Sequence, residues 1–289
     1  MKEIKRHGIQ AIAALLTNLN LKGFATGQIW QGRSKSFCVP GLNCYSCPAA
    51  VGACPIGALQ SVLSGHKKGI PYYVVGMLLL FGVLLGRVIC GFLCPFGWIQ
   101  DLLYKIKVKK RDLPIKLDRK MRYLKYIILL LFVLILPFFV QSAFGIGDPW
   151  FCKYICPAGT LEGGIALVIK NESLREMIGW LFSWKMLLLI LFIVSSMIIY
   201  RPFCKYICPL GAIYGLFNKV SFWKMKVQED TCTHCNACTK VCKMKVQVPE
   251  NINSPECIRC GACKNVCPVG AIKSGFMLVT RDANTLNIR

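Results

Sequence analysis

The sequence predicts a membrane all-α bundle of four transmembrane helices, built around internal Cys-Pro-x-Gly repeats and followed by a small α+β cysteine-rich domain. Three observations predict it: apolar residues gathered into blocks of spanning length, a tetrapeptide pattern that recurs beside those blocks, and a dense run of cysteines near the C-terminus. Of 289 residues 55% are hydrophobic, and the mean hydropathy is +0.50. Apolar residues in blocks rather than amphipathic stripes indicate a membrane bundle with a small appendage. The expected boundary divides residues 1–220 from 221–289.

Four segments are the expected spans. Gly8–Phe24 is the most polar, carrying Thr17, Asn18, Asn20 and Lys22. A signal peptide is its competing reading, but no small-residue cleavage site follows. Tyr72–Ile89, Tyr123–Val140 and Trp184–Tyr200 each approach the length that crosses ~30 Å of hydrocarbon. Arg87, Lys125 and Arg201 sit at their ends and are expected to snorkel to the interface. None of these three spans holds Asp or Glu, which argues against a pump built on intramembrane carboxylates. The three histidines, His7, His66 and His234, lie outside the spans, which excludes a haem held between two histidines within the bilayer.

The formal charge is +23, from 36 basic and 13 acidic residues. Ten Lys or Arg crowd Lys105–Lys125, so orientation and anionic lipid explain the charge better than nucleic acid does. That stretch belongs inside. The N-terminus (Lys2, Lys5, Arg6) and the C-terminal domain then lie in the cytoplasm, with loops 25–71 and 141–183 outside, making a multi-pass cell-membrane protein. The surplus charge also suits an acidic, soluble cytoplasmic redox partner.

Eighteen cysteines are more than a chain of this size needs for disulfides, and their clustering favours metal. Four segments share one pattern: Cys54-Pro-Ile-Gly, Cys94-Pro-Phe-Gly, Cys156-Pro-Ala-Gly and Cys208-Pro-Leu-Gly. Three have a second cysteine four positions upstream, at Cys90, Cys152 and Cys204. This is an internal repeat. Proline suits the first position of a helix, which leaves the cysteine as its cap at the positive end of the dipole. That position favours a thiolate and an anionic cluster. The glycine leaves room for backbone to approach an inorganic core.

Topology pairs the repeats. Cys90, Cys94, Cys204 and Cys208 fall inside and suffice for one [4Fe–4S] cluster. Cys38, Cys44, Cys47, Cys54, Cys152 and Cys156 fall outside. By symmetry Cys54, Cys152 and Cys156 join Cys47, or else Cys44, around an exterior cluster. A self-contained set of Cys38, Cys44, Cys47 and Cys54 competes, and so do disulfides.

Residues 232–242 and 257–268 both read C-x2-C-x2-C-x3-C, the spacing of bacterial two-cluster ferredoxins, in which the fourth cysteine crosses to the other cluster. Cluster one takes Cys232, Cys235, Cys238 and Cys267; cluster two takes Cys257, Cys260, Cys263 and Cys242. Zinc is the rival. Lys243 stands where proline usually follows, and His234 is expected to face solvent. No side chain is assigned a catalytic role.

With these motifs the chain resembles the membrane-bound polyferredoxin family that includes NapH, MauN and the membrane portions of NosR and CcoG. The resemblance implies electron transfer between a quinol or cytoplasmic donor and acceptors across the membrane. The third motif (Cys152/Cys156) and the exterior segment from Cys38 depart from NapH and favour a wire with an exterior end. The expectation is therefore transmembrane electron transfer through two ferredoxin-domain and two membrane [4Fe–4S] clusters. It would run between a cytoplasmic redox protein and an exterior partner, for which a separate flavoprotein is one candidate. A quinone-linked oxidoreductase subunit and an electron-supplying maturation factor are the alternatives.

Overall fold

The computed structural model describes residues 3–65, 69, 71–141 and 147–276. His66 lies outside the described residues. The chain is mostly helical, with one two-stranded sheet.

Among the described residues two helices are long and apolar enough to cross a membrane: Ile115–Phe139, with mean hydropathy 2.0, and Trp180–Ile198, with mean hydropathy 2.2. Both turn apolar side chains outward, among them Leu130, Leu131, Leu187, Ile190 and Leu191. Apolar faces of that extent need lipid or a partner against them. The length and outward apolarity of this pair suit a membrane protein.

The other two expected spans are shorter than the hydropathy pattern implies. The apolar helix Tyr72–Leu85 ends where Gly86 turns left-handed at φ 55°. At 14 residues it rises only ~21 Å. The N-terminal helix stops at Thr17, and a separate short helix, Lys22–Thr26, follows. Thr17 and Asn18 cause the break by bonding back to the carbonyls of Ala13 and Ala14. This 15-residue helix buries Arg6, Gln10 and Ala13 and exposes Ile4, Ile9, Ile12 and Leu16. Polar inside and apolar outside is the arrangement lipid favours.

Each Cys-Pro step opens a helix as expected. Cys54, Cys94 and Cys208 are N-caps of Pro55–Leu63, Pro95–Lys105 and Pro209–Phe217. These helices exchange partners. Pro95–Lys105 packs on Trp180–Ile198, the helix that leads into the fourth motif, and Pro209–Phe217 packs on Tyr72–Leu85, which leads into the second. Pro55–Leu63 likewise packs on Leu129–Ile135, which leads into the third motif. Motifs two and four therefore interlock, as do one and three.

The C-terminal domain pairs Trp223–Val227 antiparallel with Ile272–Phe276, setting Met225 opposite Ser274. Its small core is Met225, Val248, Ile252, Cys263 and Ile272. Met244, Val246 and Ile258 instead join the core of the membrane domain, so the two parts are packed together.

Candidate metal centres

The two ferredoxin-type motifs fold alike. His234 and Arg259, each two residues past a first cysteine, have φ 52° and 53°, and Asn236 and Gly261 have φ 55° and 79°. Left-handed residues at these matched places wrap three cysteines around one centre. Cys242, Cys257, Cys260 and Cys263 line one cavity of about 300 Å³. Cys232, Cys235, Cys238 and Cys267 line another, of about 20 Å³. The structure thus brings each remote cysteine to the other motif's trio. His234 is exposed.

Cys90, Cys94, Cys204 and Cys208 converge in the membrane domain. All four are buried. Burial, then the neighbouring thiols Cys204, Cys90 and Cys94, push Cys208 well above the usual range, although the Gly211 amide pulls the other way. The lowered thiol pKa expected at a helix cap is therefore outweighed by burial. Four buried thiolates side by side need a cationic core. Donors are already aimed at them: Gly97 N–H at Cys94 Sγ (3.4 Å), Gly211 N–H at Cys208 Sγ (3.4 Å) and Gln100 Nε2 at Cys204 Sγ (3.0 Å).

The arginines expected to snorkel do not. Arg87, Arg201 and Lys125 have fully buried side chains. Arg87 Nη2 donates to the Cys204 carbonyl (2.9 Å), and Arg201 Nη1 donates to the Cys90 carbonyl (2.6 Å). Each guanidinium thus clasps the opposite motif. The motif glycines make room for this. A Cβ at Gly97 would come 3.0 Å from Cys90 O and 3.3 Å from Arg201 Nη1, and one at Gly211 would come 3.1 Å from Cys204 O and 3.3 Å from Arg87 Nη2. Each glycine thus admits the partner motif's guanidinium beside its own motif's carbonyl. This clasping role escaped the sequence reading, yet a signal was present: both arginines stand three residues before the first cysteine in motifs two and four, where motif three has Pro149.

In the remaining group, Cys38, Cys44, Cys54, Cys152 and Cys156 line a cavity of about 770 Å³, and Cys47 does not. A Cβ at Gly57 would come 4.0 Å from Cys152 Sγ, and one at Gly159 would come 3.7 Å from Cys44 Sγ. Cys44 therefore stands opposite the third motif as Cys152 stands opposite the first. Two contacts decide which cysteine turns inward. Glu162 accepts the Cys44 N–H at 2.7 Å, while the Cys47 thiol turns to Asn18 Oδ1 at 3.7 Å. Burial raises the Glu162 carboxyl to about 7. Lys185 Nζ donates to the Cys152 carbonyl at 3.2 Å. None of the described cysteines is in a disulfide.

The groups adjoin one another. Arg87 reaches Cys204 O, the Pro255 carbonyl (2.5 Å) and Glu256 (3.0 Å), the last of these next to Cys257. The Leu42 amide faces the Cys94 thiol, and the next amide, Asn43, faces Cys54. A Cβ at Gly41 would come 2.9 Å from Cys94 Cα, and Tyr214 Oη donates to the Pro40 carbonyl at 3.0 Å. One strip of chain, 40–43, therefore separates the two membrane quartets, where the sequence suggested stations at opposite faces ~30 Å apart. Among the described residues no three His, Cys, Asp or Glu groups converge on a single-ion site.

Quartets of free thiols with amide donors at sulfur define an iron–sulfur electron carrier. A 4Fe-4S binding domain model matches residues 52–73, 70–114, 126–186 and 180–228, one stretch for each Cys-Pro-x-Gly motif, and a 4Fe-4S dicluster domain model matches 224–272. The chain belongs to the ferredoxin-type polyferredoxin family. An uncharacterised protein of Methanocaldococcus jannaschii is 30% identical over 70% of this chain and 78% of its own length. The methylamine utilization ferredoxin-type protein MauN of Methylorubrum extorquens is 27% identical over 65% of this chain and 59% of MauN. The ferredoxin-type protein NapH of Haemophilus influenzae is 28% identical over 57% of this chain and 50% of NapH. No solved structure matches. The chemistry these matches support is 4Fe–4S ferredoxin-type electron transfer.

Proposed function

We propose that this chain is a transmembrane electron conduit with four [4Fe–4S] clusters in series. Electrons exchange with a soluble cytoplasmic redox protein at Cys232, Cys235, Cys238 and Cys267, where Cys235 is exposed. They pass to the cluster of Cys242, Cys257, Cys260 and Cys263, then to that of Cys90, Cys94, Cys204 and Cys208. The fourth cluster, held by Cys44, Cys54, Cys152 and Cys156, serves an exterior partner. Burial, charge and hydrogen bonding set the potential of each.

The observation that carries the reading is continuity. Arg87 touches the backbone of two successive groups, and residues 42 and 43 touch the next two. Structural thiols would not need to line up from an exposed end to a buried cavity. The basic stretch 105–125 supports a cytoplasmic side for the termini. Impermeant labelling of intact cells should reach a cysteine introduced at Gly65 and not one introduced at Asp112; the reverse would invert the path. Liposomes carrying the protein and a trapped acceptor test the conduit itself. Reduction of the trapped acceptor by an impermeant external donor supports it, and failure with all clusters loaded refutes it.

A further inference from the structure

The cluster site of Cys90, Cys94, Cys204 and Cys208 is flanked by two matching groups of buried charges. On one side Arg87 pairs with Glu256 (3.0 Å), which also pairs with Lys125 (2.5 Å). On the other Arg201 pairs with Asp101 (2.5 Å), which also pairs with Arg6 (3.1 Å). Each triad holds two cations and one carboxylate. The side chains of Arg87, Lys125 and Arg201 are 0% exposed, and those of Asp101, Arg6 and Glu256 are 2%, 5% and 8% exposed. A lone buried ion pair would leave no net charge, whereas each triad leaves one positive charge. Burying surplus charge is costly unless something opposite in sign sits nearby.

The cluster supplies it. Four thiolates around an oxidised core of charge +2 would make a site of charge −2, opposite in sign to the surplus of each triad. A cluster held by these thiols would carry one more negative charge when reduced, and Arg87 and Arg201 would offset it as fixed charges. Both guanidinium groups are bonded to carbonyls of cluster cysteines. Arg87 also lies 3.3 Å, and Cys208 Cβ 3.6 Å, from the place a Cβ on Gly211 would occupy.

We propose that Arg87 and Arg201 are the fixed counter-charges that set the potential of this membrane cluster, and that Glu256 lets the docked C-terminal domain adjust it. This rests on the conduit reading above. It goes further in naming residues that ligate nothing yet decide how readily the cluster accepts an electron. Of the two carboxylates, Asp101 belongs to the membrane domain and Glu256 to the C-terminal one. The potential on the Arg87 side therefore depends on the docked domain.

The test is an EPR redox titration of full-length protein purified anaerobically into lipid nanodiscs, with iron and sulfide counted on each sample. Iron short of four clusters in the unmodified protein would overturn the conduit reading before any variant is compared. With full iron, Arg201→Gln and Arg87→Gln should each lower the midpoint of the membrane cluster. The expected shift is at least a tenfold change in the oxidised-to-reduced ratio, about 59 mV for one electron. Arg201→Lys should stay near the unmodified value, which separates charge from shape. Glu256→Gln, which keeps a hydrogen-bonding side chain, should shift the midpoint upward. If the arginine variants fail to fold, the Glu256→Gln shift decides alone. An unchanged midpoint in Glu256→Gln, or equal effects of Lys and Gln at Arg201, would overturn the proposal and leave the arginines as clamps.

Discussion

The two membrane quartets are built from the same repeat, yet they solve the problem of holding four thiols differently. The quartet of Cys90, Cys94, Cys204 and Cys208 is nearly two-fold symmetric, with an arginine, a carbonyl bond and a tight glycine repeated on each side. The quartet of Cys44, Cys54, Cys152 and Cys156 keeps the Cys-Pro caps but takes one thiol from a loop, has Lys185 bonded to the Cys152 carbonyl and adds a half-buried carboxyl, Glu162. Its cavity of about 770 Å³ compares with about 300 Å³ for the one lined by Cys242, Cys257, Cys260 and Cys263. Symmetric charge and close packing suit a relay station that only passes electrons on. A roomier, loop-built site suits the end of a wire, where another molecule must approach.

The sharpest way to break this comparison is to remove a thiol from each side. Cys204→Ala should cost about one cluster's iron while leaving the EPR signals of the C-terminal domain intact; unchanged iron would end the quartet assignment. On the looser side, Cys44→Ala should lose a cluster, and Cys47→Ala should keep it, because Cys47 faces Asn18. The opposite result would return Cys47 to the ligand set. Tightness itself can be measured next. Gly97→Ala forces a methyl to 3.0 Å from Cys90 O and should lower stability by about 1–3 kcal/mol, read from thermal unfolding in detergent. Gly57→Ala, with its nearest neighbour at 3.9 Å, should be neutral or gain up to ~1 kcal/mol from helix propensity. Equal losses at the two glycines would mean the quartets are equally packed.

How much of this was legible varied with how local the signal was. The C-terminal quartets could be read whole, because C-x2-C-x2-C-x3-C spacing states its own geometry. The pairing of motif two with four was also readable, since topology leaves one way to gather four thiols. The choice of Cys44 over Cys47 was not. It depends on Glu162 and Asn18, which lie 118 and 29 residues away and meet the loop only in the folded chain. Hydropathy made two of the expected spans longer than their helices because it averages across Gly86 and Asn18, where the helices end. The same averaging hid the arginines. A cation at the end of an apolar run looks like an interfacial anchor until its carboxylate partner, Asp101 or Glu256, is seen beside it.

The exchange of helices between repeats also bears on how the protein is made. Arg87 emerges from the ribosome 117 residues before the Cys204 carbonyl it must bind. At ordinary rates of synthesis that gap lasts on the order of ten seconds. Through that interval the second motif holds two thiols, an unpaired cation and an unpacked helix, none of which can finish its site. The first motif waits similarly for the third. Iron–sulfur delivery therefore cannot proceed motif by motif as the chain appears. Clusters held by these quartets would be inserted late, into a bundle that has already closed or is closing. A truncation after the third motif should accumulate as a half-site that binds iron loosely and is open to oxidation.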